Sequence, residues 1–144
     1  MNGRPIEILL VEDNPADARI LEAYFGNSVG NYHLHVVRSG KDALSFLYHG
    51  VEYTDAPRPD IVLLDLNLPE MTGFEVLAAI KQHEHLNGIP VIVLTQSTAE
   101  EDIRQAHSLH ASCYLTKPQT REGFTELIEA IDHFWLQRAS LPTR

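Results

Sequence analysis

Ile61-Val62-Leu63-Leu64 stands between Asp60 and Asp65 and runs on into Leu66-Asn67-Leu68-Pro69. An unbroken run of Leu and β-branched residues suits a strand buried on both faces, the habit of a parallel sheet covered by helices. Four other runs share that character: Ile6-Glu7-Ile8-Leu9-Leu10-Val11, the weaker His33-Leu34-His35-Val36-Val37, Val91-Ile92-Val93-Leu94 after Pro90, and the short Cys113-Tyr114-Leu115-Thr116. Helix signals fill the segments between. Asn14 can cap a helix that has Pro15 at its first position, carries Ile20, Leu21, Tyr24 and Phe25 on one side, and ends at Gly26 or Gly30. Ser39 can cap a second helix bearing Ala43, Leu44 and Leu47. Phe74, Leu77 and Ile80 mark a third, and Ile103, Ala106 and Leu109 a fourth. In the last, Phe124, Leu127, Ile128, Ile131 and Trp135 fall in one narrow stripe at about 100° per residue. Five strands alternating with five helices predict an α/β doubly wound domain with right-handed crossovers.

The length of 144 residues suits one domain. Its core is expected over about residues 6–136, with a short flexible tail after Trp135. The segment Tyr48 to Pro59, with two prolines and Gly50, reads as a surface excursion. Apolar residues make up 44% and charged ones 22%, which excludes a disordered or collagen-like chain. A net charge of −9 with no Lys/Arg run argues against nucleic acid and anionic membrane as partners. No apolar run reaches the ~18 residues of a membrane helix. The lone Cys113, expected as a buried inert thiol inside its strand, excludes an internal disulfide. These features point to a cytoplasmic protein.

Ligands of open α/β sheets bind beyond the carboxyl ends of the strands. The residues there are Glu12 and Asp13, Asp65 and Asn67, Thr95, and Lys117 with Pro118. If their strands are neighbours, three carboxylates, a hydroxyl and an ammonium surround one crevice. Clustered carboxylates need a cation, and carboxylate and carbonyl oxygens suit Mg²⁺. Mg²⁺, Lys117 and Thr95 together suit the oxygens of a transferring phosphoryl group. Asp65, ending the central strand, is the candidate to accept it as an aspartyl phosphate, with Asp13 and the Asn67 carbonyl as metal ligands. Taken singly, each feature has a plainer reading: helix-dipole partners, turn residues, a cap. Their joint placement after four strands carries the argument.

With these residues in place, the chain resembles the receiver domain of two-component response regulators, from about Ile6 to Trp135. The resemblance rests on Glu12-Asp13, on Leu63-Leu64-Asp65-Leu66-Asn67-Leu68-Pro69 with Gly73 following, on Thr95, on Tyr114, and on Lys117-Pro118. It implies a flavodoxin-like (βα)5 sheet of order 2-1-3-4-5. It further implies that Asp65 takes a phosphoryl group from a histidine kinase. Asp13, Asp65 and the Asn67 carbonyl would bind Mg²⁺, with Glu12 acting through a water. Lys117 would pair with a phosphoryl oxygen across a cis bond to Pro118. Thr95 would move to the phosphoryl group and Tyr114 would turn inward, a two-state switch. The family has a small residue after the switch threonine, where this chain has Gln96, and that bears on phosphoryl lifetime. The long Tyr48–Pro59 loop and the opening Val11-Glu12-Asp13-Asn14-Pro15-Ala16-Asp17 look like the single-domain regulators that partner phytochrome-type histidine kinases.

Phe134 and Leu136 lie roughly 70° and 130° off the apolar stripe of the last helix. They are expected to be exposed and to serve a homodimer, since exposed apolar groups mark interfaces. His107 and His110 are spaced to share a helix face and so a metal, with solvated residues as the plainer reading. An aspartate-based phosphatase is the enzymatic alternative, but Asn67 stands where its general acid would be. A flavin mononucleotide carrier would need a glycine-rich phosphate loop in place of acidic Glu12-Asp13-Asn14-Pro15. A receiver that docks partners without phosphorylation is the remaining alternative.

Overall fold

The computed structural model describes residues 4–28 and 30–138. Five strands form one parallel sheet: β1 (Ile6–Val11), β2 (Tyr32–Val37), β3 (Ile61–Leu64), β4 (Val91–Thr95) and β5 (Cys113–Thr116). Their order is β2-β1-β3-β4-β5. The helices are α1 (Pro15–Gly26), α2 (Gly40–Leu47), α3 (Gly73–Gln82), α4 (Glu100–Ser108) and α5 (Arg121–Ile131). The doubly wound reading is therefore met, with helices on both faces.

The strength of each apolar run follows its place in the sheet. Strands β1, β3 and β4 are buried almost throughout, being central and covered on both sides. The two weaker runs, β2 and β5, are the edges and are mostly half-exposed. Successive side chains along a strand alternate between faces. Leu9, Val11, Val62 and Leu64 thus pack beneath α2 and α3, while Ile8, Leu10, Leu63 and Ile92 pack beneath α1 and α5. The helix starts also follow from sequence. Asn14 Oδ1 accepts the Ala16 and Asp17 N–H groups at 2.9 and 3.2 Å, and Ser39 Oγ accepts that of Asp42 at 3.0 Å. Thr72 and Glu75 add a reciprocal capping box at α3.

Several expectations need correction. Leu136 is buried, not exposed. The chain leaves α5 through a π-helix, Asp132–Arg138, whose i→i+5 bonding replaces the α repeat. Residue i+5 then falls near residue i, so Leu136 returns to the core over Ile131, and both join the cluster under α1 and α5. Phe134 is 57% exposed, as expected. The fraying expected after Trp135 does not begin there, because the π-helix continues to Arg138; residues 139–144 lie outside the described residues. Buried Asp132 holds this turn in place by accepting hydrogen bonds from the Tyr24 hydroxyl of α1, at 2.7 Å, and the Tyr32 hydroxyl of β2. Cys113 is half-buried because β5 is an edge, and burial pushes its thiol pKa up. His107 and His110 do not share a helix face: α4 stops at Ser108, and His110 has φ 68°.

The expected cis bond before Pro118 is also absent: every peptide bond among the described residues is trans. The intrinsic preference before proline favours trans by about 0.5–1 kcal/mol.

Gly73 marks a close approach of α3 to the Asp65–Leu66 turn. Its N–H donates to the Leu66 carbonyl at 3.0 Å. A Cβ here would stand 2.4 Å from the Asp65 carbonyl oxygen and 2.6 Å from Leu66 Cα. Gly73→Ala is expected to push α3 off the Asp65–Leu66 turn and to cost about 1–3 kcal/mol. A lowered urea midpoint at unchanged slope would show it; an unchanged midpoint would refute it.

Candidate functional site

Four strand ends converge as the topology requires. Glu12 follows β1, Asp65 follows β3, Thr95 ends β4 and Lys117 follows β5; all four are buried. Parallel pairing sets their level. The Asp65 N–H donates to the Val11 carbonyl at 3.1 Å, and the Lys117 N–H donates to the Thr95 carbonyl at 2.7 Å.

The centre of the site is the Lys117 ammonium. Nζ donates to Glu12 Oε1 at 2.7 Å, to Asp17 Oδ2 at 2.9 Å and to Asp65 Oδ2 at 3.0 Å. The second oxygens are also engaged. Asp65 Oδ1 accepts the Asn67 N–H at 3.2 Å, and Glu12 Oε2 accepts the Asn14 N–H at 3.1 Å. Asp17 is a site residue that sequence reasoning passed over. It stands in the first turn of α1, and an acidic residue there has an ordinary reading as a partner of the helix dipole. The signal was its position: Asn14-Pro15 starts the helix where β1 ends, so the first turn of α1 sits over the crevice.

Asp13 does not join the ammonium network and is exposed at the rim. Glu12, Asp13 and Asp65 do not form a preassembled three-oxygen cluster; among the described residues the one such group of ligand atoms within 4.8 Å lies elsewhere. Glu12 and Asp65 turn to Lys117 instead. The Thr95 Oγ1 is buried and has no hydrogen-bond partner among the described residues. A buried hydroxyl left unpaired costs about 1–3 kcal/mol, so this one calls for a reason.

Three carboxylates share one cation, and the negative surplus shows in the proton balance. Burial, then the charge of Asp65, raises the Glu12 pKa from 4.5 to about 7 against the pull of Lys117. Burial works against the Lys117 charge, but its hydrogen bonds to Glu12 and Asp17 and the charge of Asp65 outweigh it, and its pKa is raised.

Beside this centre, Tyr114 packs half-buried against Leu66, Val93 and Ala106, and its hydroxyl donates to the Ser97 carbonyl at 2.9 Å. Ser97 Oγ in turn donates to Asp102 Oδ2 at 2.5 Å, in the first turn of α4. Gln96 is exposed and lines a groove of about 970 Å³ with Asp17, Ile20, Lys117, Pro118 and Phe124.

Because folding raises the Glu12 pKa, the native state binds the extra proton between pH 4.5 and about 7. Stability from this group is therefore present at low pH and lost as pH rises through that window, by at most about 1.4 kcal/mol per pH unit for one proton. Glu12→Gln is expected to flatten the slope, measured by denaturation across pH; an unaltered profile would count against the assignment.

The chain is similar to known proteins over nearly its whole length. The profile of the response regulator receiver domain matches residues 8–131. Response regulator Rcp1 of Synechocystis sp. is 44% identical over 138 residues, 96% of this chain and 94% of that protein. The probable methanogenesis regulatory protein FilR2 of Methanothrix harundinacea is 43% identical over 92% of this chain and 84% of its own length. Among solved structures, the Mn²⁺-bound form of Rcp1 superposes with a TM-score of 0.93 at 43% identity, covering 96% of this chain and all of that one. The phosphorylated cyanobacterial phytochrome response regulator RcpA gives 0.94 at 42% identity, covering 97% of this chain and all of that one. By its matched residues, its sheet order and these relatives, the chain belongs to the response regulator receiver domain family of two-component signalling proteins.

Proposed function

We propose that this chain is a response regulator that accepts a phosphoryl group on Asp65 from the phosphohistidine of a sensor histidine kinase. The observation that carries the reading is the pairing of a buried Asp65 carboxylate, hydrogen-bonded to Lys117, with the unpartnered Thr95 hydroxyl at the neighbouring strand end. A carboxylate oxygen of Asp65 attacks phosphorus, the P–O bond of an acyl phosphate forms, and the P–N bond to the kinase imidazole breaks. The Lys117 ammonium already reaches the Asp65 carboxylate, so it meets a new phosphoryl oxygen with little movement. Thr95 then gains the acceptor its hydroxyl lacks.

The donor set fits Mg²⁺. Asp65, Asp13 and the Asn67 carbonyl are hard oxygen donors, Glu12 can act through a water, and the pocket carries surplus negative charge. Bound there, the ion would neutralise charge on the phosphoryl oxygens. The same residues would assist dephosphorylation, so the chain serves as a phosphoacceptor and not as an enzyme on a separate substrate.

Tyr114 is the proposed read-out. Movement of Thr95 displaces the backbone toward Ser97, whose carbonyl holds the Tyr114 hydroxyl. Turning the ring inward would reshape α4 and β5. Helix α4 suits this, since Ala106 is its one buried residue. The output is then a changed contact with another protein, or with a second copy of this chain.

The similarity to RcpA, a phytochrome response regulator, supports a phytochrome-type kinase as the donor. A cytoplasmic location would supply that kinase and Mg²⁺. Phe134, exposed beside the edge of the last helix, supports a homodimer through that region; Leu136 is buried and is withdrawn from the contact.

Intact mass after incubation with acetyl phosphate is expected to show one added phosphoryl group that needs Mg²⁺ and is lost in Asp65→Asn. Failure to form either this adduct or a beryllofluoride complex would leave a docking receiver that works without phosphorylation. For the dimer, light scattering is expected to give twice the chain mass at high concentration, reduced to one chain mass in Phe134→Asp. A monomer at every concentration, phosphorylated or not, would sink that assignment.

A further inference from the structure

At the end of the sheet opposite the acidic pocket, a second set of side chains converges. Glu7 of β1 is the register partner of His33 of β2, and His35 lies two residues further along the same strand. All three therefore point to one face. Glu7 Oε1 lies 2.7 Å from His35 Nε2, and Glu7 Oε2 lies 3.1 Å from His33 Nδ1. Taking one ligand atom from each residue, the three lie within 4.8 Å of one another.

We propose that Glu7, His33 and His35 form a site for one divalent transition-metal ion of the zinc type, separate from the acidic pocket. Two imidazoles and a carboxylate are the donor set of open zinc sites, which keep a fourth position for water or an external ligand. Imidazole nitrogen selects zinc, nickel or copper over Mg²⁺, so the ion of the acidic pocket does not compete.

The surroundings favour a held site over a chance contact. Glu7 is 7% exposed, so its carboxylate is already desolvated and fixed. Its backbone N–H donates to Asp60 Oδ2 at 2.8 Å, and the Asp60 N–H donates back to the Glu7 carbonyl at 2.8 Å. The His35 ring rests 5.3 Å from that of Phe46. These contacts hold the Glu7 backbone and the His35 ring in place. The histidines meanwhile sit on an edge strand, with side chains 56% and 29% exposed, so an ion can enter and its fourth position faces water. Ligand atoms around a tetrahedral zinc stand roughly 3.3 Å apart, given bonds near 2.0–2.2 Å. One ligand atom from each residue already lies within 4.8 Å of the other two, so the three side chains are near that spacing before an ion binds.

The test is calorimetric titration of the full chain with ZnCl₂ in saturating Mg²⁺, which fills the acidic pocket. One equivalent is expected to bind, and the double variant His33→Gln/His35→Gln is expected to bind about tenfold or more weakly. The six other histidines are controlled by NMR of the wild-type rings, which does not depend on the variant folding. Zinc-dependent shifts at His33 and His35 would support the site. Absence of stoichiometric binding, equal affinity in a folded double variant, or shifts confined to the other histidines would overturn it.

Discussion

One ammonium ion joins the working end of this molecule. Lys117 Nζ links the loop after β5 to the end of β1, the first turn of α1 and the end of β3. Removing one partner from a buried ion pair typically costs about 3–5 kcal/mol, because the remaining charge is stranded. Here three carboxylates depend on a single cation, so the arrangement is electrically incomplete as well as held together. That incompleteness is useful. A pocket fully neutralised by its own side chains would have little affinity for a further cation, and one without Lys117 would repel a phosphoryl group. The raised Glu12 pKa and the Thr95 hydroxyl without a partner among the described residues mark the same rim.

Much of this was legible in the residues. The near-continuous apolar runs gave the central strands, and their weaker counterparts proved to be the edges, because an edge strand tolerates polar residues such as His33 and His35. Asn14-Pro15 and Ser39 located helix starts through local hydrogen bonding, which sequence determines directly. Glu12, Asp65, Thr95 and Lys117 come together because strand ends in a parallel sheet must share one rim.

What escaped was set by tertiary contact. Leu136 looked exposed under a uniform helical repeat, but the buried Asp132 bonded to Tyr24 and Tyr32 accompanies a wider turn that sequence periodicity does not encode. Asp17 had a satisfactory local role as a first-turn acid, and only folding brings Lys117 to it. His33 and His35 were two letters apart on a weak strand; their meaning needed Glu7 beside them, which is a fact of register. Asp13 shows the converse, since adjacency to Glu12 in sequence did not bring it into the ammonium network.

The π-helical turn has an optical consequence. Trp135 is the sole tryptophan, and its ring meets that of the exposed Phe134 edge-on at 5.4 Å. It is itself half-buried between the core and the surface. All indole emission from this molecule therefore originates at the junction of the last helix. Any event that covers Phe134 or re-seats that turn changes the polarity around a single chromophore, so the chain carries its own fluorescent reporter at that face, with no label to attach.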